Sequence, residues 1–133
     1  MVSMTSVQKG EIAQLKVQQR AIELGHTVSV PTVDCRYDLI IDADSTLTRA
    51  QIKYADGLGR GKSVRVYLAK KHKNKKLKYK KEEIDIVLVY VPKIDKILQI
   101  KADRFHDKEN IDIRIEKSET KSSKFNWYED YIW

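Results

Sequence analysis

A chain of 133 residues, 41% hydrophobic and 34% charged, is long enough to bury one core without disulfides and too short to suggest a second independent domain. The single cysteine, Cys35, excludes an internal disulfide and a thiolate zinc cluster, and is expected as a small buried residue beside the following strand. No apolar run approaches the roughly 20 residues that span a bilayer, and MVSMTSVQKGEIAQ lacks the apolar core of a signal peptide, so an intracellular, cytoplasmic protein without a membrane partner is expected.

In chain order, the first element is a helix. From about Ser6 to Leu24 the apolar residues fall at Ile12, Leu15 and Ile22 and at Ala13, Val17, Ala21 and Leu24, spacings that give one buried face. Thr5 or Ser6 can cap its start, and Gly25 can end it in the left-handed conformation. The pattern then changes to strands. His26 to Val30 stops at Pro31, Asp38 to Ile41 is a short apolar run, and Thr46 to Tyr54 alternates, with Leu47, Arg49, Gln51 and Lys53 on one face. Asp42-Ala43-Asp44-Ser45 between the last two has turn composition and makes them a hairpin. Val64 to Leu68 is a further strand, Ile84 to Val91 a buried one, and Pro92-Lys93-Ile94-Asp95 turns it into Lys96 to Ile100. Ile111, Ile113 and Ile115 alternate as an edge strand. These elements predict an α/β chain in which one helix precedes a mixed sheet.

The net charge of +7 is unevenly placed. Residues 1 to 56 carry 6 Lys/Arg against 7 Asp/Glu, residues 57 to 81 carry 11 against none, and residues 82 to 133 carry 9 against 12. The block GLGRGKSVRVYLAKKHKNKKLKYKK therefore holds all the excess and points to a polyanionic partner. The plainer reading is a solvated basic loop, since runs of like charge are often tails. At the other end, FNWYEDYIW holds 5 of the 11 aromatics. Trp127 and Tyr131 are four apart, as on one short helix; the segment either folds back over the chain's own sheet, forms a subunit interface, or stacks on DNA bases.

In the predicted hairpin, Gln51 and Lys53 project from the same face because side chains alternate, and Asp38 can lie beside them. A carboxylate, an amide oxygen and an ammonium together can hold a hard divalent cation and position a water. Glu11, in the first turns of the helix, could add a second carboxylate. The bland reading is a solvated sheet face.

Lys9-Gly10-Glu11, then Arg36-Tyr37-Asp38-Leu39-Ile40-Ile41-Asp42, then Gln51-Ile52-Lys53, resemble the PD-(D/E)XK nuclease superfamily, and in particular its small group I intron-encoded homing endonucleases. Two positions depart from the pattern. Tyr37 stands where the family usually has Pro, and Gln51 where it has Glu or Asp; Gln is a known variant there, and leaves one less negative charge at the metal. The resemblance implies a restriction-endonuclease-like αβββ core with added strands. It also implies an Mg2+-dependent site with Asp38 as the central ligand, Gln51 as a second, the Ile52 carbonyl as a third, and Glu11 direct or through water. Lys53 would orient or deprotonate the attacking water.

The partner implied is double-stranded DNA. Gly57, Gly59 and Gly61 would give a mobile loop in a basic insertion over 57–81. There Arg60, Lys62, Arg65 and Tyr67 are candidates for base contacts, and Lys70, Lys71, Lys73, Lys75, Lys76 and Lys78 for phosphate contacts. A single site per chain implies a symmetric homo-oligomer, a dimer or a dimer of dimers. Alternatives are a Holliday-junction resolvase of the same fold, and a non-catalytic DNA-binding protein that uses only the basic block. A competing motif reading takes Ile40-Ile41-Asp42-Ala43-Asp44-Ser45 as the end of a LAGLIDADG helix, with Asp44 in place of Asp38.

Overall fold

Helix α1 spans Ser6–Glu23 in the computed structural model, which describes residues 3–57, 62–117 and 125–133. Thr5 caps its start: its hydroxyl accepts from the Gln8 amide, while Gln8 Oε1 accepts from the Thr5 amide, so two otherwise unpaired donors are satisfied. At the other end Gly25 adopts φ 79°, and the Gly25 and His26 amides donate to Ile22 and Ala21, closing the last turn as only a left-handed residue allows. The buried face is narrower than the periodicity predicted. Ala13, Val17 and Ala21 are fully buried, whereas Leu15 and Ile22 are 60% and 73% exposed. Small side chains at every fourth position let the helix lie close to the sheet, which turns the two larger residues outward.

After α1 come β1 (Thr27–Ser29), β2 (Leu39–Ala43) and β3 (Thr46–Tyr54). The expected hairpin forms, with its turn confined to Asp44 and Ser45 at φ 52° and 69°, the geometry that matches the twist of antiparallel strands. Asp42 and Ala43 belong to the strand, paired with Leu47 and Thr46. Next are β4 (Ser63–Tyr67), β5 (Ala69–His72), β6 (Lys75–Lys78), β7 (Ile86–Val91) and β8 (Lys96–Lys101). A short helix α2 (Ala102–Phe105), β9 (Asn110–Arg114), β10 (Asn126–Trp127) and a single 3-10 turn (Tyr128–Tyr131) complete the described elements.

The single mixed sheet predicted divides into three. The principal one has the order β1-β2-β3-β7-β8, with β3 and β7 parallel and the other neighbours antiparallel. The smaller ones are β10-β9-β4 and the hairpin β5-β6. Strand β7 is buried at all six positions because both faces of its sheet are covered. On one face Leu39, Ile41, Ala50, Ile52, Ile86 and Leu88 pack with Ala13 and Val17 of α1. On the other, Val87, Val89, Leu98 and Ile100 pack with Val64 and Val66 of β4, Ile111 and Ile113 of β9, and Leu68, Tyr79 and Phe105.

Lys70 to Lys78, within the basic insertion expected over 57–81, form β5 and β6, joined by a turn at Lys73 and Asn74 with φ 47° and 63°. Two further expectations are corrected. The aromatic segment is not a short α-helix but a parallel strand on β9 followed by the 3-10 turn. It does fold back on the chain's own sheet. Ile132 bridges Leu98, the Trp133 amide donates to Ile97, and Arg20 Nε donates to the Trp133 carbonyl at 3.1 Å, tying the segment to α1. Cys35 is only half-buried, its thiol donating to the Tyr37 carbonyl at 3.2 Å.

Candidate active site

Asp38 lies one residue before β2. Its amide donates to the Ala50 carbonyl at 2.9 Å, and its Oδ2 accepts from the Ile52 amide at 2.8 Å. Leu39, Ala50 and Ile52 face α1, so alternation places Asp38, Gln51 and Lys53 together on the opposite face. Because the N–H and C=O of a strand residue point to the same side, the bond from Ile52 to Asp38 also directs the Ile52 carbonyl past the start of β2, next to the carboxylate. Asp38, Gln51 and Lys53 thus share one face at the end of the β2-β3 pair, with the Ile52 backbone beside the carboxylate.

The electrostatics follow from partial burial. Burial raises the Asp38 carboxyl above its ordinary range, and the Ile52 amide, Lys53 and Lys70 pull it part of the way back. Burial lowers the Lys53 ammonium, an effect opposed by Asp38 and reinforced by Lys70. Lys53 Nζ stands over the ring of Tyr79 at 5.1 Å from its centroid. The Tyr79 hydroxyl is buried without a hydrogen-bond partner among the described residues, and burial together with the charge of Asp38 drives its pKa upward. Lys70, at the foot of the β5-β6 hairpin, has its Nζ 3.7 Å from Asp34, while Arg36 pairs with Glu83. Arg49, the next outward residue of β3, donates from its Nε and Nη2 to Asp85 at 3.1 and 3.0 Å and fixes β3 to the residue before β7.

Of the four residues predicted for chemistry, the fold brings Asp38, Gln51 and Lys53 together. Glu11 is exposed on α1, which covers the other face of the sheet. Its turn of helix is nevertheless held at the Lys53 end of β3, since Lys9 pairs with Asp56 at 2.6 Å and lies over the Tyr54 ring. Among the described residues no three His, Cys, Asp or Glu side chains gather as a metal-binding group, so any cation here relies on neutral oxygens as well as Asp38. That donor set fits a hard ion such as Mg2+, which takes one or two carboxylates and keeps several waters.

The basic block is distributed over two elements. Lys71, Lys73, Lys75 and Lys76 are exposed on the hairpin and Lys78 is half-buried at its base. Arg65 and Tyr67 face outward from β4, and Arg65 is engaged by Asp112 through two hydrogen bonds of 2.8 and 3.1 Å. Lys62 precedes β4 with φ 60°. Arg60, with Gly59 and Gly61, lies outside the described residues. Sequence reasoning missed Tyr79, whose only signal was an aromatic inside the lysine run KLKYKK. The helical LAGLIDADG reading is overturned: Ile40 to Ser45 is strand and turn, and Asp44 sits at the hairpin tip, at the opposite end of β2 from Asp38.

The model of the PD-(D/E)XK endonuclease family matches residues 4–133. Among solved structures, that of a bacterial homing endonuclease, I-Ssp6803I, is similar with a TM-score of 0.76 and 20% identity over 98% of this chain and 88% of that one, a likeness of fold that agrees with the restriction-endonuclease-like core predicted. No curated protein matches the sequence.

Proposed function

The chain belongs to the PD-(D/E)XK endonuclease family, and from that premise we propose that it is a site-specific homing endonuclease that hydrolyses double-stranded DNA with Mg2+ at Asp38, Gln51 and Lys53. The observation that carries the reading is the bond from the Ile52 amide to Asp38, because it fixes the carboxylate beside both residues that flank Ile52. Asp38 Oδ1, Gln51 Oε1 and the Ile52 carbonyl would hold the cation, and Glu11 would join them directly or through water. The ion, when bound, supplies Lewis-acid activation of the phosphodiester. Lys53 orients or deprotonates the water that attacks phosphorus, and its charge offsets that of the phosphate as the bond to the leaving oxygen breaks.

The exposed lysines of the β5-β6 hairpin grip backbone phosphates, with Lys70 the one nearest the chemistry. Residues at and before β4, Arg60, Lys62, Arg65 and Tyr67, are the candidates for reading bases. One chain offers one such site, and a double-strand break needs two, so the working form is a symmetric homo-oligomer. The likeness of fold to a homing endonuclease favours this role over a junction resolvase.

A target is recovered by selection from a randomised duplex library, cloned into a supercoiled plasmid, and incubated with the protein and Mg2+. Wild-type protein is expected to linearise the plasmid and Lys53→Ala to bind it without cutting. Binding by both with cutting by neither would leave only a DNA-binding protein, and preference for a four-way junction over the linear duplex would make it a resolvase.

A further inference from the structure

We propose that Tyr79 is a positioning residue for Lys53, its ring face holding the ammonium at the catalytic centre from the base of the DNA-gripping hairpin. The inference rests on the nuclease reading of Lys53 and adds a residue that the reading does not use.

The geometry supports it in three ways. Lys53 Nζ lies 5.1 Å from the Tyr79 centroid, within the range where the negative face of an aromatic ring attracts a cation, and among the described residues no acidic side chain forms an ion pair with Lys53. The ring itself is fixed. Tyr79 is 3% exposed, its amide donates to the Leu68 carbonyl at 3.0 Å, and its carbonyl accepts from the Asp107 amide at 2.9 Å. Leu68 and Tyr79 bracket β5 and β6, so the residue that closes the hairpin is the one that sets Lys53. Finally, the hydroxyl has no hydrogen-bond partner among the described residues, so what the side chain offers Lys53 is its ring face.

The test compares Tyr79→Phe, which keeps the face, with Tyr79→Leu, which removes it, and adds mono-, di- and trifluorinated phenylalanines at the same position, which weaken the face at nearly constant volume. On plasmid carrying the selected site, kcat is expected to stay within about three-fold for Tyr79→Phe and to fall about ten-fold or more for Tyr79→Leu, with KM and the Kd for duplex measured in Ca2+ unchanged. Along the fluorinated series kcat should decline stepwise, which keeps the question open to decision if the leucine variant does not fold. Independently of activity, the Cε methylene protons of 13C-labelled Lys53, assigned through Lys53→Arg, should lie upfield of the other lysines in wild type and Tyr79→Phe and lose that shift in Tyr79→Leu.

Equal cutting by all variants, a fluorinated series with no trend, or a Tyr79→Phe loss as large as that of leucine would overturn the proposal. So would a Lys53 signal that is not displaced in wild type. Wild-type protein that fails to cut strikes the nuclease reading instead, while the Lys53 signal still decides the positioning.

Discussion

The Ile52 amide donates to the Asp38 carboxylate at 2.8 Å, at the point where β2 begins and its backbone ladder with β3 runs out. A side-chain oxygen does the work of a missing strand carbonyl, and in doing so it draws a carboxylate into a half-buried position. Burial raises the pKa of that carboxyl, which means that the ionised group opposes folding in the absence of a cation. Asp38→Asn keeps an acceptor for Ile52 and removes the charge. It should abolish cleavage while raising the metal-free Tm at neutral pH by about 2–4 °C, read by calorimetry in EDTA. A fall in Tm would make Asp38 a structural acceptor in the first place.

Gln51 lies beside Asp38 on the same face of the β2-β3 pair, where its side chain would offer a cation a neutral oxygen. Gln51→Glu restores the carboxylate that this family usually has there, and adds a like charge beside Asp38. Titration calorimetry with Mg2+ should show affinity held or tightened, by about five-fold or ~1 kcal/mol, and the metal-free protein should be less stable than wild type. Sharply weaker metal binding would remove Gln51 from the ligand set.

Most of this site was legible because strand geometry is local. A hairpin of alternating residues fixes which side chains share a face, so the grouping of Asp38, Gln51 and Lys53 followed from spacing and turn composition, while the roles expected of them came from the family resemblance. Asp42 and Asp44 could be set aside for the same reason. What was not legible depends on contacts between distant segments. Tyr79 reaches Lys53 across 26 residues of sequence, and nothing in KLKYKK says that its tyrosine turns inward. The division into three sheets, and the choice of Ala13, Val17 and Ala21 over Leu15 and Ile22, were likewise settled by packing against partners that periodicity does not name.

The β5-β6 hairpin pairs Lys71 with Lys76, like charges held opposite each other against their own repulsion. Phosphates would relieve that repulsion by pairing with the ammoniums, and the pairing would release the counterions condensed on the DNA. Replacing Lys71, Lys75 and Lys76 together by alanine should weaken binding to all duplexes alike and reduce the slope of log K against log salt by about 2–3, measured by anisotropy over a salt series. An unchanged slope would move the phosphate contacts elsewhere.

Asp85 joins β3 to the start of β7 by accepting the Arg49 amide at 2.7 Å and its guanidinium at 3.1 and 3.0 Å. The guanidinium hydrogen bonds lower the Asp85 pKa from its ordinary value. A carboxyl whose folded pKa lies below the unfolded value of about 3.9 adds stability that is complete well above that value and is lost as the pH falls through the folded pKa. With its side chain 39% exposed, water and salt screen the pair and keep the effect modest. Asp85→Asn should therefore lower Tm by about 2–4 °C at pH 7 and equally at pH 5.5, with the difference from wild type closing below about pH 4. Since Gln51 and Lys53 follow Arg49 along the same face of β3, the same variant should also loosen the site, and a gap in Tm that persisted undiminished to pH 3 would show that shape rather than charge makes the join.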